Sequence, residues 1–180
     1  MRTETNTHSP LIGHLLAALA MTVWGVTFIM TKVLLRSFSP TEIIMMRFAI
    51  SYLALAILQP RPLKFEGVRH ELPYIAAGVM GITLYYLLEN FALTYTLASN
   101  VGVIVATAPF FTALVAGLIF GEEERPGRAF FLGCILSFLG IVLISVNGAQ
   151  LEMNPIGDLM TLGAALSWAF YSITIKSKHP

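Results

Sequence analysis

The apolar positions of this chain gather into six long blocks, at roughly residues 11–35, 41–59, 72–96, 99–120, 127–146 and 157–175. Each is close to or above the ~20 mainly apolar residues that cross about 30 Å of hydrocarbon. Short polar breaks with turn chemistry separate them: Ser39-Pro40, Pro60-Arg61-Pro62 through Glu71, Glu122 through Gly127, and Asn147-Gly148 through Asn154-Pro155. In lipid a spanning backbone must satisfy its own hydrogen bonds, so blocks of this length read as helices. Short breaks make sequential helices antiparallel. The pattern predicts an all-α polytopic membrane protein of about six transmembrane helices.

Composition agrees. Of 180 residues, 56% are hydrophobic and only 12% charged, with mean hydropathy +0.75. Soluble domains carry about a quarter charged residues, so most of this surface meets something other than water. The net charge of +1 discriminates no partner, and no basic run or aromatic platform points to nucleic acid. The lone Cys134 sits in an apolar block, which rules out an internal disulfide and reads as packing. No cofactor or metal site is expected.

The N-terminus has the outline of a cleavable signal: Arg2, an apolar stretch, and Ala18-Leu19-Ala20. The apolar run continues through Met30, too long for that purpose, so the first helix is expected to be retained. Lysine and arginine set the orientation. With the N-terminus inside, the cytoplasmic side holds Arg2, Arg61, Lys64, Arg69, Arg125, Arg128, Lys176 and Lys178. The outside holds only Lys32 and Arg36. The N-terminus is therefore expected in the cytoplasm and the protein in the cell's inner (plasma) membrane.

Sliding the chain against itself by 144 positions aligns Gly13-His14-Leu15-Leu16 with Gly157-Asp158-Leu159-Met160. At the same offset Ala20 meets Ala164, Trp24 meets Trp168, Ile29 meets Ile173 and Lys32 meets Lys176. Leucine and alanine matches mean little between apolar helices; Trp and Lys recurring eight residues apart mean more. Five spans separate the two copies, so the second enters from the opposite side. That is an inverted-topology repeat, a plan that puts a transported substrate near midplane between repeats. The expected organisation is a cytoplasmic tail (1–10), a first five-helix repeat (11–146), an external loop (147–156), and the first helix of a truncated second repeat (157–180).

Several motifs resemble one family. Trp24-Gly25-Val26-Thr27-Phe28 with Lys32, Pro40 and Arg47-Phe48 are similar to its opening. Ala92-Leu93-Thr94-Tyr95-Thr96 through Ala98-Ser99, then Ala108-Pro109-Phe110-Phe111-Thr112-Ala113-Leu114, resemble its third-to-fourth helix passage. Gly121-Glu122-Glu123 and Gly133 through Gly140-Ile141-Val142-Leu143 resemble the next one. The family is the EamA-type, ten-helix branch of the drug/metabolite transporter superfamily. The resemblance covers about residues 13–178. It implies a secondary transporter of amino acids, other metabolites or drugs, generally directed outward. Its usual ten helices imply either a missing C-terminal half or a homodimer for a six-helix chain; a chain that inserts without transporting is the inert alternative. The lysine and arginine bias and the orphan sixth helix both argue against an antiparallel dimer.

Charges inside a membrane mark functional sites by default. Arg47 lies seven residues after Pro40 and Glu89 seven before Thr96, so both sit roughly 10 Å from the outer boundary at 1.5 Å per residue. They either neutralise each other, or Glu89 takes a proton or cationic substrate while Arg47 tunes it; Arg47 snorkelling outward is a third reading. Tyr85 and Glu89 share a helical face at i,i+4, as do Tyr86 and Asn90. Such a face suits a small polar ligand in an apolar cavity, although tyrosines also form interfacial belts. Trp24 and Trp168 fall near midplane, lining either a cavity or the core. Lys32 and Lys176, near helix ends, read as snorkelling anchors, and Pro109 as a kink in the fourth helix.

Enzyme chemistry finds no support. Asp158 is the only aspartate, so no aspartyl dyad forms within one chain. No zinc-protease or phosphate-loop motif is present, and His8, His14, His70 and His179 all lie at or beyond helix ends.

Overall fold

A computed structural model describes residues 10–60, 67–121, 126–146 and 154–176. The N-terminal tail to residue 9, the Glu122–Glu124 turn, residues 147–153 of the external loop, and Lys178 lie outside the described residues. Among the described residues every regular element is helical.

The first helix, α1, runs Pro10–Leu34. A turn closed by Phe38 N to Leu34 O (2.9 Å) leads to α2, Pro40–Leu58. The start of α2 is legible in Ser39-Pro40-Thr41-Glu42. The Ser39 hydroxyl accepts from Glu42 N, the Glu42 carboxylate accepts from Ser39 N, and proline occupies a position that needs no donor. The third span is continuous over 28 residues, but its winding changes twice: α3, Val68–Ala77; a π-helical segment, Gly78–Leu84; and α4, Tyr85–Tyr95.

The fourth span is broken into α5, Ala98–Val105, and α6, Ala108–Phe120. The expected kink at Pro109 is a break at Ala106-Thr107. Proline cannot continue the hydrogen-bond ladder across it, and the Thr107 hydroxyl donates to Ile104 O (2.6 Å). Gly121, at φ 86°, ends α6 in a conformation that favours glycine. Next come α7, Arg128–Val146, and α8, Pro155–Lys176. Asn154 caps α8: its Oδ1 accepts from Ile156 N and Gly157 N, while Asp158 Oδ2 accepts from Asn154 N.

Five stretches (α1, α2, α3–α4, α5–α6 and α8) have the length and hydropathy to cross a bilayer. The apolar 19-residue α7 matches the remaining block of the sequence. The protein is an all-α polytopic membrane protein. Large apolar side chains such as Leu15, Leu19, Ile50, Leu53, Ile135 and Leu136 point away from the protein, as expected where the solvent is hydrocarbon.

The packing centres on α8, which lies against the third and fourth spans. Its inward face is mostly small: Gly157, Thr161, Ala164, Ala165, Ser167 and Ala169 are buried. Lipid supplies no hydrophobic drive for helix pairing, so close approach through small residues is what holds such a contact. A Cβ on Gly157 would meet Thr96 and Tyr95, one on Gly163 would meet Leu88, and one on Gly81 would strike Tyr171. As numbers rise along α8 they fall along the third span, so the two run antiparallel.

Candidate functional site

The contact between α8 and the third span positions the chemistry. In a π turn the backbone bonds to i−5 rather than i−4, shifting the residues that follow around the helix. Tyr85 starts α4 directly after this segment. The segment is held from outside, because the Ser167 hydroxyl on α8 donates to Met80 O at 2.7 Å. Gly81 gives the Tyr171 ring its seat.

From here the predicted residues come together. Tyr85 packs against Trp168 with ring centroids 5.2 Å apart and against Tyr86 at 5.0 Å. Trp168 also meets Tyr171 at 5.1 Å and Trp24 at 5.3 Å. All lie within the 4.5–7 Å range of favourable aromatic pairs. Trp24 and Trp168, matched at an offset of 144 in the sequence, therefore touch in space. Tyr86 continues the chain of rings to Phe48 at 5.7 Å.

Further along α4, Glu89 and Asn90 are buried, 3% and 0% exposed. Glu89 Oε2, both polar atoms of the Asn90 amide, and the Tyr85 hydroxyl have no hydrogen-bond partner. The Tyr85 hydroxyl lies close to the Glu89 carboxylate. Each unmet buried group costs about 1–3 kcal/mol, and such groups in a native protein call for a ligand, ion or water.

Arg47 distinguishes among the three readings of its charge. Its Nη2 donates to Thr31 Oγ1 at 2.8 Å, and its guanidinium lies 5.4 Å from the Tyr86 ring centroid. It attracts Glu89 only from a distance, without forming an ion pair with it. It is half-buried, with its guanidinium directed towards α1.

Lys32 also departs from expectation. Instead of anchoring in headgroups, its ammonium donates to the carbonyls of Leu93 and Thr96 at the C-terminal end of α4. A cation there meets both orphan carbonyls and the negative end of the helix dipole. The Thr96 hydroxyl in turn donates to Asp158 on α8 and accepts from Asn100. Lys176 lies 5.6 Å from the Phe120 ring centroid. Lys32→Met is expected to destabilise the protein by about 2 kcal/mol through loss of two charged hydrogen bonds. Lys32→Arg is expected to retain most of that; thermal unfolding in detergent measures both.

Sequence reasoning missed Thr31, Phe48, Ser167 and Tyr171. Tyr171 lies three residues after Trp168, a spacing that puts both on one face, so it was findable. Thr31 and Ser167 carried no signal, since hydroxyls on apolar helices usually bond their own backbone. A separate cavity of about 580 Å³ lies between α6 and α7, lined by Pro109, Phe110, Phe130, Phe131, Cys134 and Phe138 among others. It has no ionisable side chain other than the Cys134 thiol and offers little chemistry. Among the described residues no group of His, Cys, Asp or Glu is arranged to hold a metal.

Residues 11–146 match the EamA-like transporter family. Over 166 residues the chain is 33% identical to an uncharacterized transporter of Archaeoglobus fulgidus, covering 89% of this chain and 56% of that protein. It is 31% identical over 163 residues to the uncharacterized transporter YvbV of Bacillus subtilis, covering 90% of this chain and 53% of that one. It is also 31% identical over 170 residues to the uncharacterized inner membrane transporter YedA of Escherichia coli, covering 91% and 52%. The chain thus spans about half the length of the curated relatives it matches. No solved structure matches it.

Proposed function

The chain belongs to the EamA-like transporter family, and we propose that it is a secondary transporter exporting small organic solutes by alternating access around the α4–α8 cluster. One observation carries this reading: Tyr85, Glu89 and Asn90 bury unpartnered polar atoms beside α8, among rings contributed by three spans. Several such groups together on adjacent turns call for partners, and a polar solute supplies them. Family membership points to transport rather than catalysis.

In this reading residues 11–146 form a first repeat, 147–156 an external loop, and 157–180 the opening of an inverted second repeat. The contact of Trp24 with Trp168 supports an axis relating α1 to α8. A second copy, or a C-terminal half like that of the longer relatives, supplies the rest of the moving body. The lysine and arginine distribution supports a cytoplasmic N-terminus in the inner membrane. Alkaline phosphatase fused after residue 150 is then expected to be active, and after residue 64 inactive; the reverse pattern overturns the orientation.

Efflux of radiolabelled amino acids and amines from vesicles carrying the chain tests the transport reading. Glu89→Ala and Trp168→Ala are each expected to lower flux by at least about tenfold, the loss that follows when a residue holding the substrate is removed. A flux no greater than that of empty vesicles favours the inert alternative. A flux that both variants leave unchanged moves the site elsewhere.

A further inference from the structure

We infer that the α4–α8 site takes a small organic ammonium ion, binding it between the Glu89 carboxylate and the faces of Tyr85, Trp168 and Tyr171. This deepens the proposed transport function and rests on it.

The argument starts from charge. Alongside the rings the spans place one carboxylate, Glu89, and two cations, Lys32 and Arg47; Glu42 and Asp158 sit at helix starts, bonded to Ser39 and to Asn154 and Thr96, and Lys176 ends α8 beside Phe120. Both cations are already engaged: Lys32 holds the carbonyls of Leu93 and Thr96, and Arg47 holds Thr31 and covers Tyr86. Glu89 Oε2 is left as a buried acceptor without a hydrogen-bond partner, beside the Tyr85 hydroxyl. An anionic ligand meets repulsion from Glu89. A cation meets an unpaired carboxylate oxygen.

The walls agree with that sign. The Trp168 ring stands 5.2 Å from that of Tyr85 and 5.1 Å from that of Tyr171. Ring faces carry negative potential and attract ammonium groups, most strongly where water is excluded. Asn90 adds an acceptor and a donor, both unmatched. They can receive an ammonium N–H and reach a neighbouring hydroxyl or carbonyl on the ligand. A ligand of this kind satisfies the groups that the protein leaves open.

Entry requires movement. Tyr85 and Asn90 have no exposed surface, and Trp24 closes on Trp168 from α1. A ligand must therefore part these rings. The chain has only two tryptophans, and they are this pair. Intrinsic tryptophan emission is consequently a direct report of the site.

The test titrates the purified chain in nanodiscs with three probes of matched shape and different charge: phenethylammonium, 2-phenylethanol and 3-phenylpropionate. Phenethylammonium is expected to change the emission saturably, and the other two to bind at least about tenfold more weakly. Such a ratio follows from one charge-assisted contact inside a low-dielectric site. Glu89→Gln, with helicity checked by circular dichroism, is expected to lose at least about tenfold in affinity for phenethylammonium and little for 2-phenylethanol. Equal binding of the ammonium and the alcohol overturns the inference, even if the variant fails to fold. Tighter binding of 3-phenylpropionate overturns it too, yet leaves the site as a transport site. No response to any probe also overturns it, and the site then stands or falls by the flux of Trp168→Ala.

Discussion

Replacing Gly81 by alanine is expected to destabilise the protein by about 3 kcal/mol and to loosen α8 from the third span. A Cβ built on Gly81 comes within 2.9 Å of Tyr171 Cβ, and nearer still to its ring. The obstruction is the root of the side chain, which cannot swing aside unless the α8 backbone retreats. Overpacking of this kind costs about 1–3 kcal/mol. Retreat also removes the Ser167 hydrogen bond from Met80 O, worth about 1 kcal/mol. Gly78→Ala is the control, because a Cβ there meets nothing within 4 Å in the same π-helical segment. Thermal unfolding in detergent is expected to separate the two clearly. Tyr171→Ala introduced into the Gly81→Ala protein removes the ring and should restore part of the loss. Should Gly81→Ala melt with the parent protein, the close approach of α8 to this segment is wrong.

Gly81 also marks where the sequence stops being informative. Spans are legible because lipid allows a backbone few alternatives, so block length alone yields a helix. The capping of α2 and the end of α6 are legible because Ser39-Pro40-Thr41-Glu42 and Gly121 carry local chemistry. Winding within a span is another matter. Gly78-Val79-Met80-Gly81-Ile82-Thr83-Leu84 contains no proline, and its departure from α-helix is matched by outside contacts from Ser167 and Tyr171. Those contacts lie about 90 positions away in the chain.

The site divides along the same line. Tyr85 with Glu89, and Tyr86 with Asn90, followed from helical spacing; Trp24 and Trp168 followed from the repeat. The structure brings Trp24, Trp168, Tyr85 and Tyr86 into one chain of rings, with Arg47 over Tyr86 and Glu89 beside the tyrosines, and it buries Asn90 on the same helix. The direction in which each cation points did not follow from the sequence. Lys32 turns from the headgroups to the end of α4 because four orphan carbonyls there need donors. Arg47 turns to Thr31 because a hydroxyl on the neighbouring helix sits within reach. A position along one helix says nothing about the depth and direction of groups on the next, and these contacts depend on both.

Asn90→Leu is expected to make the protein more stable and, in the same step, to remove at least about tenfold of its transport. The sign of the first effect comes from the unmet amide. Asn90 is fully buried, and neither its Nδ2 nor its Oδ1 has a partner. Leucine has the same branched outline and no polar atom to desolvate, and its bulkier methyl groups take back only part of the gain. Relief of an unsatisfied buried donor and acceptor is worth about 1–3 kcal/mol, and the swap leaves little cavity. The sign of the second effect comes from the use assigned to that amide, which is to recognise a polar solute that leucine cannot hold. Sites that carry function are the places where a protein tolerates such instability. An asparagine retained for packing gives the other result, a variant that melts lower or is unchanged and transports as before. Melting temperature and vesicle efflux, measured on one preparation of Asn90→Leu, therefore decide between them, because only a binding role moves the two readouts in opposite directions.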